Sequence, residues 1–122
     1  MFIKKAKKLG YKVGLSLKPE TDFEELKPFL DEIDYVQLMA IDPGAQGREF
    51  KGAELEKIKQ LHKIHPSMYI QVDGGVDKDH ILKILKAGAK GVVIGSHIFK
   101  TSDPAETVLK FKKVEENYAT TK

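Results

Sequence analysis

The sequence predicts an α/β fold built on a parallel sheet. Four short apolar runs are spaced along the chain, each is followed by a segment with helical period, and turn residues separate the two. Strand–helix units repeated in this way join into a parallel sheet through right-handed crossovers. A closed eight-stranded barrel takes ~250 residues. The 122 residues of this chain therefore fit either a small open sheet or the (βα)4 half of a barrel, as a single domain over 1–122.

The elements follow in order. "FIKKAKKLG" reads as the last two turns of a helix capped at Gly10, with no strand before it. "YKVGLSL" (11–17) is the first strand. Thr21 and Glu24 have capping-box spacing, and Phe23, Leu26 and Leu30 share one face of a helix behind it. "YVQLMAI" (35–41), rich in residues that suit a buried sheet, is the second strand. The loop "DPGAQGREF" separates it from a helix carrying Leu55, Ile58, Leu61 and Ile64, which stops before Pro66. "MYIQV" (68–72) is the third strand, and Ile81, Ile84 and Leu85 mark the next helix, with Gly88 as its C-terminal cap. "GVVIG" (91–95) is the fourth strand. Asp103, Pro104 and Glu106 supply an N-cap, a first-turn proline and a capping partner for the last helix.

Composition narrows the function classes. Hydrophobic residues make up 41% and charged residues 32%, an ordinary balance for a folded chain. Zero cysteines exclude disulfides, thiolate chemistry and zinc fingers, and fit a reducing compartment. The net charge of +3 comes largely from "KKAKK" and from lysines on helix faces. No basic stripe interleaved with aromatics and no recognisable module is present, so no nucleic-acid partner is expected. A mild positive field suits a small anionic substrate. The lysine-rich start has no apolar h-region behind it, and no stretch approaches the ~20 apolar residues of a membrane span. The expectation is a cytoplasmic protein with no membrane partner.

Polar residues and glycines gather just after the strands, at the edge where parallel α/β folds bind ligands. Gly44 and Gly47 follow strand two, Gly74 and Gly75 follow strand three, and Gly95 and Ser96 end strand four. Successive backbone N–H groups in such loops can cradle phosphate oxygens. Any one loop is equally explained as turn chemistry, and three on one edge carry more weight. Asp73 closes strand three. It reads either as a turn-former before "GG" or as an acid at the mouth of a pocket. Alternation places it with Gln71 on one strand face and Ile70 and Val72 on the other. On the pocket side it is a candidate general acid/base or metal ligand. Met39 shares a face with Gln37 on strand two, and is either a pocket residue or core filler. The four histidines lack metal-ligand spacing, and Ser96 has no evident histidine to activate it as a nucleophile.

"LMAIDPGAQGREF", "IQVDGGV" and "LKAGAKGVVIGSHIF" together resemble the carboxyl-terminal half of the ribulose-phosphate 3-epimerase family, from about residue 11 to about residue 110. The resemblance implies the (βα)4 half of a phosphate-binding TIM barrel. It implies that substrate phosphate lies against Gly44, Ala45, Gln46 and Gly47, against Gly74 and Gly75, and against Gly95 and Ser96. It further implies that Asp73 binds a divalent metal ion of the zinc, iron, manganese or cobalt class and moves the proton at carbon 3. Ribulose 5-phosphate and xylulose 5-phosphate would interconvert through an enediolate. The family's usual "NPGFGGQ" is here "DPGAQGRE", which alters the pocket wall. The family's other half supplies a Ser, two metal-binding His and a second Asp, so this chain alone is expected to be weak or inactive.

Two other readings stand beside that one: a non-catalytic phosphate-binding half-barrel, and another phosphate-barrel enzyme such as a hexulose-phosphate synthase. A lone half-barrel is expected to expose strand edges and an apolar interior face, which calls for a homodimer or a complementing half-barrel.

Overall fold

The computed structural model describes residues 2–40, 53–74, 76 and 78–120. Four strands, β1 (Gly14–Leu17), β2 (Tyr35–Met39), β3 (Tyr69–Asp73) and β4 (Gly91–Val93), form one sheet in the order β1-β2-β3-β4. Every pairing is parallel. The helices are α1 (Phe2–Lys8), α2 (Ala53–Ile64), α3 (Lys78–Ala87), α4 (Ser96–Phe99) and α5 (Pro104–Thr120). The architecture is the (βα)4 half of a TIM barrel expected from the sequence.

Alternation along the strands decides which face is buried. Val36, Leu38, Ile70 and Val72 lose all solvent contact and share a core with Ile58 and Leu61 of α2, Ile81 and Ile84 of α3, and Phe111 of α5. Burying each such side chain contributes about 1.5–3 kcal/mol, so this face fixes the register of the sheet. α2 packs on α3 and α3 on α5.

The other face, which would line a barrel, is open among the described residues. It carries Gly14 and Ser16 of β1, Tyr35, Gln37 and Met39 of β2, Tyr69, Gln71 and Asp73 of β3, and Gly91 and Val93 of β4. The expectation of an apolar interior face is therefore corrected: amides, a hydroxyl and a carboxylate interrupt it. Its lower end is filled by aromatic rings, with Tyr35 lying over Gly14 and Tyr69 over Gly91. Small residues beside large ones let the rings lie against the sheet.

The segment after β1 also differs from expectation. It forms two 3-10 turns, Phe23–Glu25 and Lys27–Phe29, in place of one α-helix. Pro28 has no N–H to donate, and its ring would collide with the carbonyl four residues earlier in an α-helix. The cap is Asp22, whose carboxylate accepts the Glu24 N–H at 2.9 Å, and not Thr21. Phe23, Leu26 and Leu30 are nonetheless buried as their spacing predicts. Ile64, at the end of α2, is 49% exposed and leaves the core stripe.

The predicted ends of α3 and α5 are found. Gly88 adopts φ +120, and hydrogen bonds from Gly88 N–H to Leu85 O and from Ala89 N–H to Ile84 O close α3 in a Schellman motif. Asp103 Oδ1 accepts the Glu106 N–H at 3.1 Å, capping α5 ahead of Pro104. The fourth strand stops at Val93, short of the expected Gly95, and Ser96 opens a short helix, α4, that the sequence pattern does not predict.

Candidate active site

Asp73 is the last residue of β3, at the carboxyl edge of the sheet, on the open face and half-buried. Gly74 follows it with φ +120, a backbone conformation that costs a side-chain-bearing residue free energy, so the chain turns sharply behind the carboxylate. The turn and the acid are thus compatible roles. Register sets Asp73 beside Met39 on β2 and Val93 on β4. Met39 is half-buried at the same level, on the open face and outside the fully buried core.

The carboxylate is not alone. Gln71 Nε2 donates to Gln37 Oε1 at 2.8 Å, and Gln37 Nε2 lies 3.5 Å from Asp73 Oδ2. Gln37 sits level with Gln71 and reaches diagonally up to Asp73, a spacing long side chains on neighbouring strands can bridge. Two amides and a carboxylate therefore run along the open face in one chain of contacts. Alternation alone had placed these three on common strand faces; only the pairing register shows that they meet.

β4 ends level with Asp73, and the chain continues through Gly95 into α4. Gly95 caps α4 with φ −112 and ψ −86, and a Cβ built there would meet nothing within 4 Å. Ser96 opens the helix and is half-buried. A phosphate-binding barrel uses this place in the fold, the loop after a late strand and the start of a short extra helix. Gly44, Ala45, Gln46, Gly47 and Gly75 lie outside the described residues.

A second device at the same edge escaped the sequence reading. Lys57 of α2 donates to the Pro19 carbonyl at 2.6 Å and pairs with Glu54 at 3.3 Å, where Glu54 is only 2% exposed. It fastens the segment after β1 to the first turn of α2. Nothing in the i, i+3 spacing of two charges distinguishes such a buried pair from a solvated one.

The histidines are dispersed. His62 packs beneath Gly88, His65 lies 3.8 Å from Asp31, His80 is in the first turn of α3, and His97 is exposed on α4. Among the described residues there is no group of three or more His, Cys, Asp or Glu able to hold a metal ion. Divalent metals are held by several carboxylate or imidazole donors, and Asp73 is flanked here by amides. The described residues alone do not fit a metal centre. No helix among them is long and apolar enough to cross a membrane.

Fold and site define a half-barrel of the TIM class with an acid on its open face at the carboxyl edge. Residues 1–99 match the ribulose-phosphate 3 epimerase family, and the chain belongs to that family. It is 35% identical over 112 residues to the ribulose-phosphate 3-epimerase of Aquifex aeolicus (88% of this chain, 50% of the relative). It is 34% identical over 106 residues to that of Schizosaccharomyces pombe (87% of this chain, 46% of the relative). The chain thus spans about half the length of the curated relatives it matches. In fold it is similar to a solved 3-hexulose-6-phosphate synthase, with a TM-score of 0.68 at 21% identity, covering 88% of this chain and 51% of that one. The family match begins before the first strand, earlier than the motifs themselves.

Proposed function

We propose that this chain is one half of the active site of a pentose-phosphate epimerase, interconverting ribulose 5-phosphate and xylulose 5-phosphate. The observation that carries the reading is Asp73, fixed at the carboxyl edge of a central strand and on the face a closed barrel would enclose. Its relatives are named epimerases of ribulose phosphate.

The chemistry asks little of this half. Removal of the proton from carbon 3 by a carboxylate leaves an enediolate, and return of a proton to the opposite face inverts the centre. Asp73 serves one face as base in one direction and acid in the other. The opposite face needs a second acid. A divalent cation, which stabilises an enediolate as a Lewis acid, needs donors besides Asp73. Both would come from a complementing half, whether a second copy of this chain or a separate partner. The substrate phosphate is assigned to Gly74, Gly75, Gly95 and Ser96, together with Gly44, Ala45, Gln46 and Gly47, and Met39 is assigned to the sugar.

The test uses the full chain and ribulose 5-phosphate, followed by backbone amide NMR and by deuterium exchange at carbon 3 in D2O. Shifts centred on Gly74, Gly95 and Ser96 are expected, and the Gly95→Val variant should lose them while unfolding at nearly the native midpoint. Exchange at carbon 3 should be slow for the chain alone. It should rise on addition of the amino-terminal half of the Aquifex aeolicus relative, and vanish in Asp73→Asn with binding retained. Binding without exchange in that mixture would favour the non-catalytic phosphate-binding half-barrel, a reading supported by Asp73 being the single carboxylate of this face among the described residues. Shifts remote from this edge would overturn both readings.

A further inference from the structure

We infer that Gln37 is a positioning residue for Asp73, itself anchored by Gln71, so that one carboxylate oxygen is occupied and the other is presented to the reacting atom. The inference rests on the proposed role of Asp73. It concerns orientation, which can be measured without substrate.

The polarity of the relay follows from its chemistry. An ionised carboxylate only accepts hydrogen bonds, so the group that Gln37 turns towards Asp73 Oδ2 must be its Nε2 amide. Its Oε1 is then left facing β3, where Gln71 donates to it at 2.8 Å. The reverse setting would put two oxygens together at one end of the relay. Gln71 thus fixes the flip of Gln37, and Gln37 meets one oxygen of Asp73. The contact to the carboxylate, at 3.5 Å, is long; catalytic hydrogen bonds without substrate are often long and tighten when it binds.

A glutamine at position 37 is otherwise hard to explain. Its neighbours on β2, Val36 and Leu38, are fully buried on the helix side, whereas Gln37 is half-buried on the open face. An apolar residue would pack there against Met39 and the tyrosines below. The amide adds a donor aimed at the carboxylate, and that donor holds Asp73 in one rotamer. Orientation of this kind sets whether a base meets its proton in line.

The experiment measures the Asp73 rotamer in the isotope-labelled full chain, from its two Hα–Hβ scalar couplings at neutral pH. In the native chain the two couplings should together match one staggered rotamer, either one large and one small or both small. Gln37→Leu, close in size but without a donor, should bring both to the intermediate values of rotamer averaging while the backbone amide spectrum stays native elsewhere. Gln71→Leu should move them in the same direction, because an unanchored Gln37 amide can turn away. Single-rotamer couplings persisting in Gln37→Leu would overturn the inference, as would rotamer-averaged couplings in the native chain. If Gln37→Leu does not fold, Gln71→Leu decides, and couplings unchanged from native then count against the relay. Because no turnover is read, loss of the epimerase reading and loss of this inference are separate results.

Discussion

Val13 and Asp34 hold each other through both backbone polar groups of Val13. The Val13 N–H donates to Asp34 Oδ2 at 2.7 Å, and the Asp34 N–H donates to the Val13 carbonyl at 2.7 Å. The pair joins the approach to β1 to the approach to β2, and Lys7 of α1 adds a looser ion pair at 3.6 Å. The Val13 N–H holds the Asp34 carboxyl below its ordinary value of 3.8; slight burial opposes this, and the charges of Lys7 and Lys12 reinforce it.

A pH dependence follows from that pair. A carboxyl with a lowered folded pKa is protonated first in the unfolded chain, so acid favours unfolding. Its contribution is fully present above the unfolded value and is lost as pH falls through the folded one. Asp34→Asn should therefore unfold at lower urea than the native chain at pH 7. The gap should shrink below about pH 4, the ordinary range for an aspartate. A gap that stayed constant from pH 7 to pH 2.5 would contradict the assignment.

Gly88 ends α3 in a conformation with φ +120, and a Cβ placed there would lie 2.5 Å from the His62 ring. Gly88→Ala meets backbone strain and a clash together, and should cost about 1–3 kcal/mol. Gly88→Ala with His62→Ala should recover only the part due to the ring, because the His62 Cβ would still lie 2.7 Å from the added one. Urea denaturation of the two variants separates the contributions.

The two faces of the sheet should respond differently to truncation. Leu38 is fully buried against the helices, and Leu38→Ala should cost about 2–5 kcal/mol. Ser16 is exposed on the open face, and Ser16→Ala should stay within about 0.5 kcal/mol. Equal losses in the two variants would mean that the open face is covered in solution.

The outer edges of β1 and β4 have no strand neighbour among the described residues, and unpaired edges recruit other strands. Pairing β4 of one copy with β1 of another would bring two open faces together around a shared interior. Multi-angle light scattering should then give twice the 13.7 kDa of one chain. A monodisperse monomer at micromolar concentration would leave a separate complementing half as the proposed partner.

Much of this could be read without coordinates. The alternation of β2 and β3 fixed which residues face the helices, because a strand has only two faces and burying one specifies the other. Gly88 and Asp103 marked helix ends since each satisfies a backbone group that helical geometry leaves unmet: the Gly88 N–H meets the Leu85 carbonyl, and the Asp103 carboxylate meets the Glu106 N–H. The segment after β1 departs from the expected helix because the apolar spacing of Phe23, Leu26 and Leu30 suits a helix and 3-10 turns alike, and Pro28 breaks the α-helical hydrogen bonding. The character of the open face was misjudged for a different reason. Alternation groups Gln37 with Met39 and Gln71 with Asp73, and only the strand register shows that the two glutamines lie side by side.

By itself, the sequence determined the parallel α/β class, the apolar core and the placement of Asp73 at a strand end, all of which depend on periodicity and local turn chemistry. The tertiary structure decided what Asp73 touches. Its contact with Gln37, and the anchoring of Gln37 by Gln71, depend on strand register, a relation between segments 34 to 36 residues apart. Local propensity carries no record of that separation; burial of the opposite face sets it.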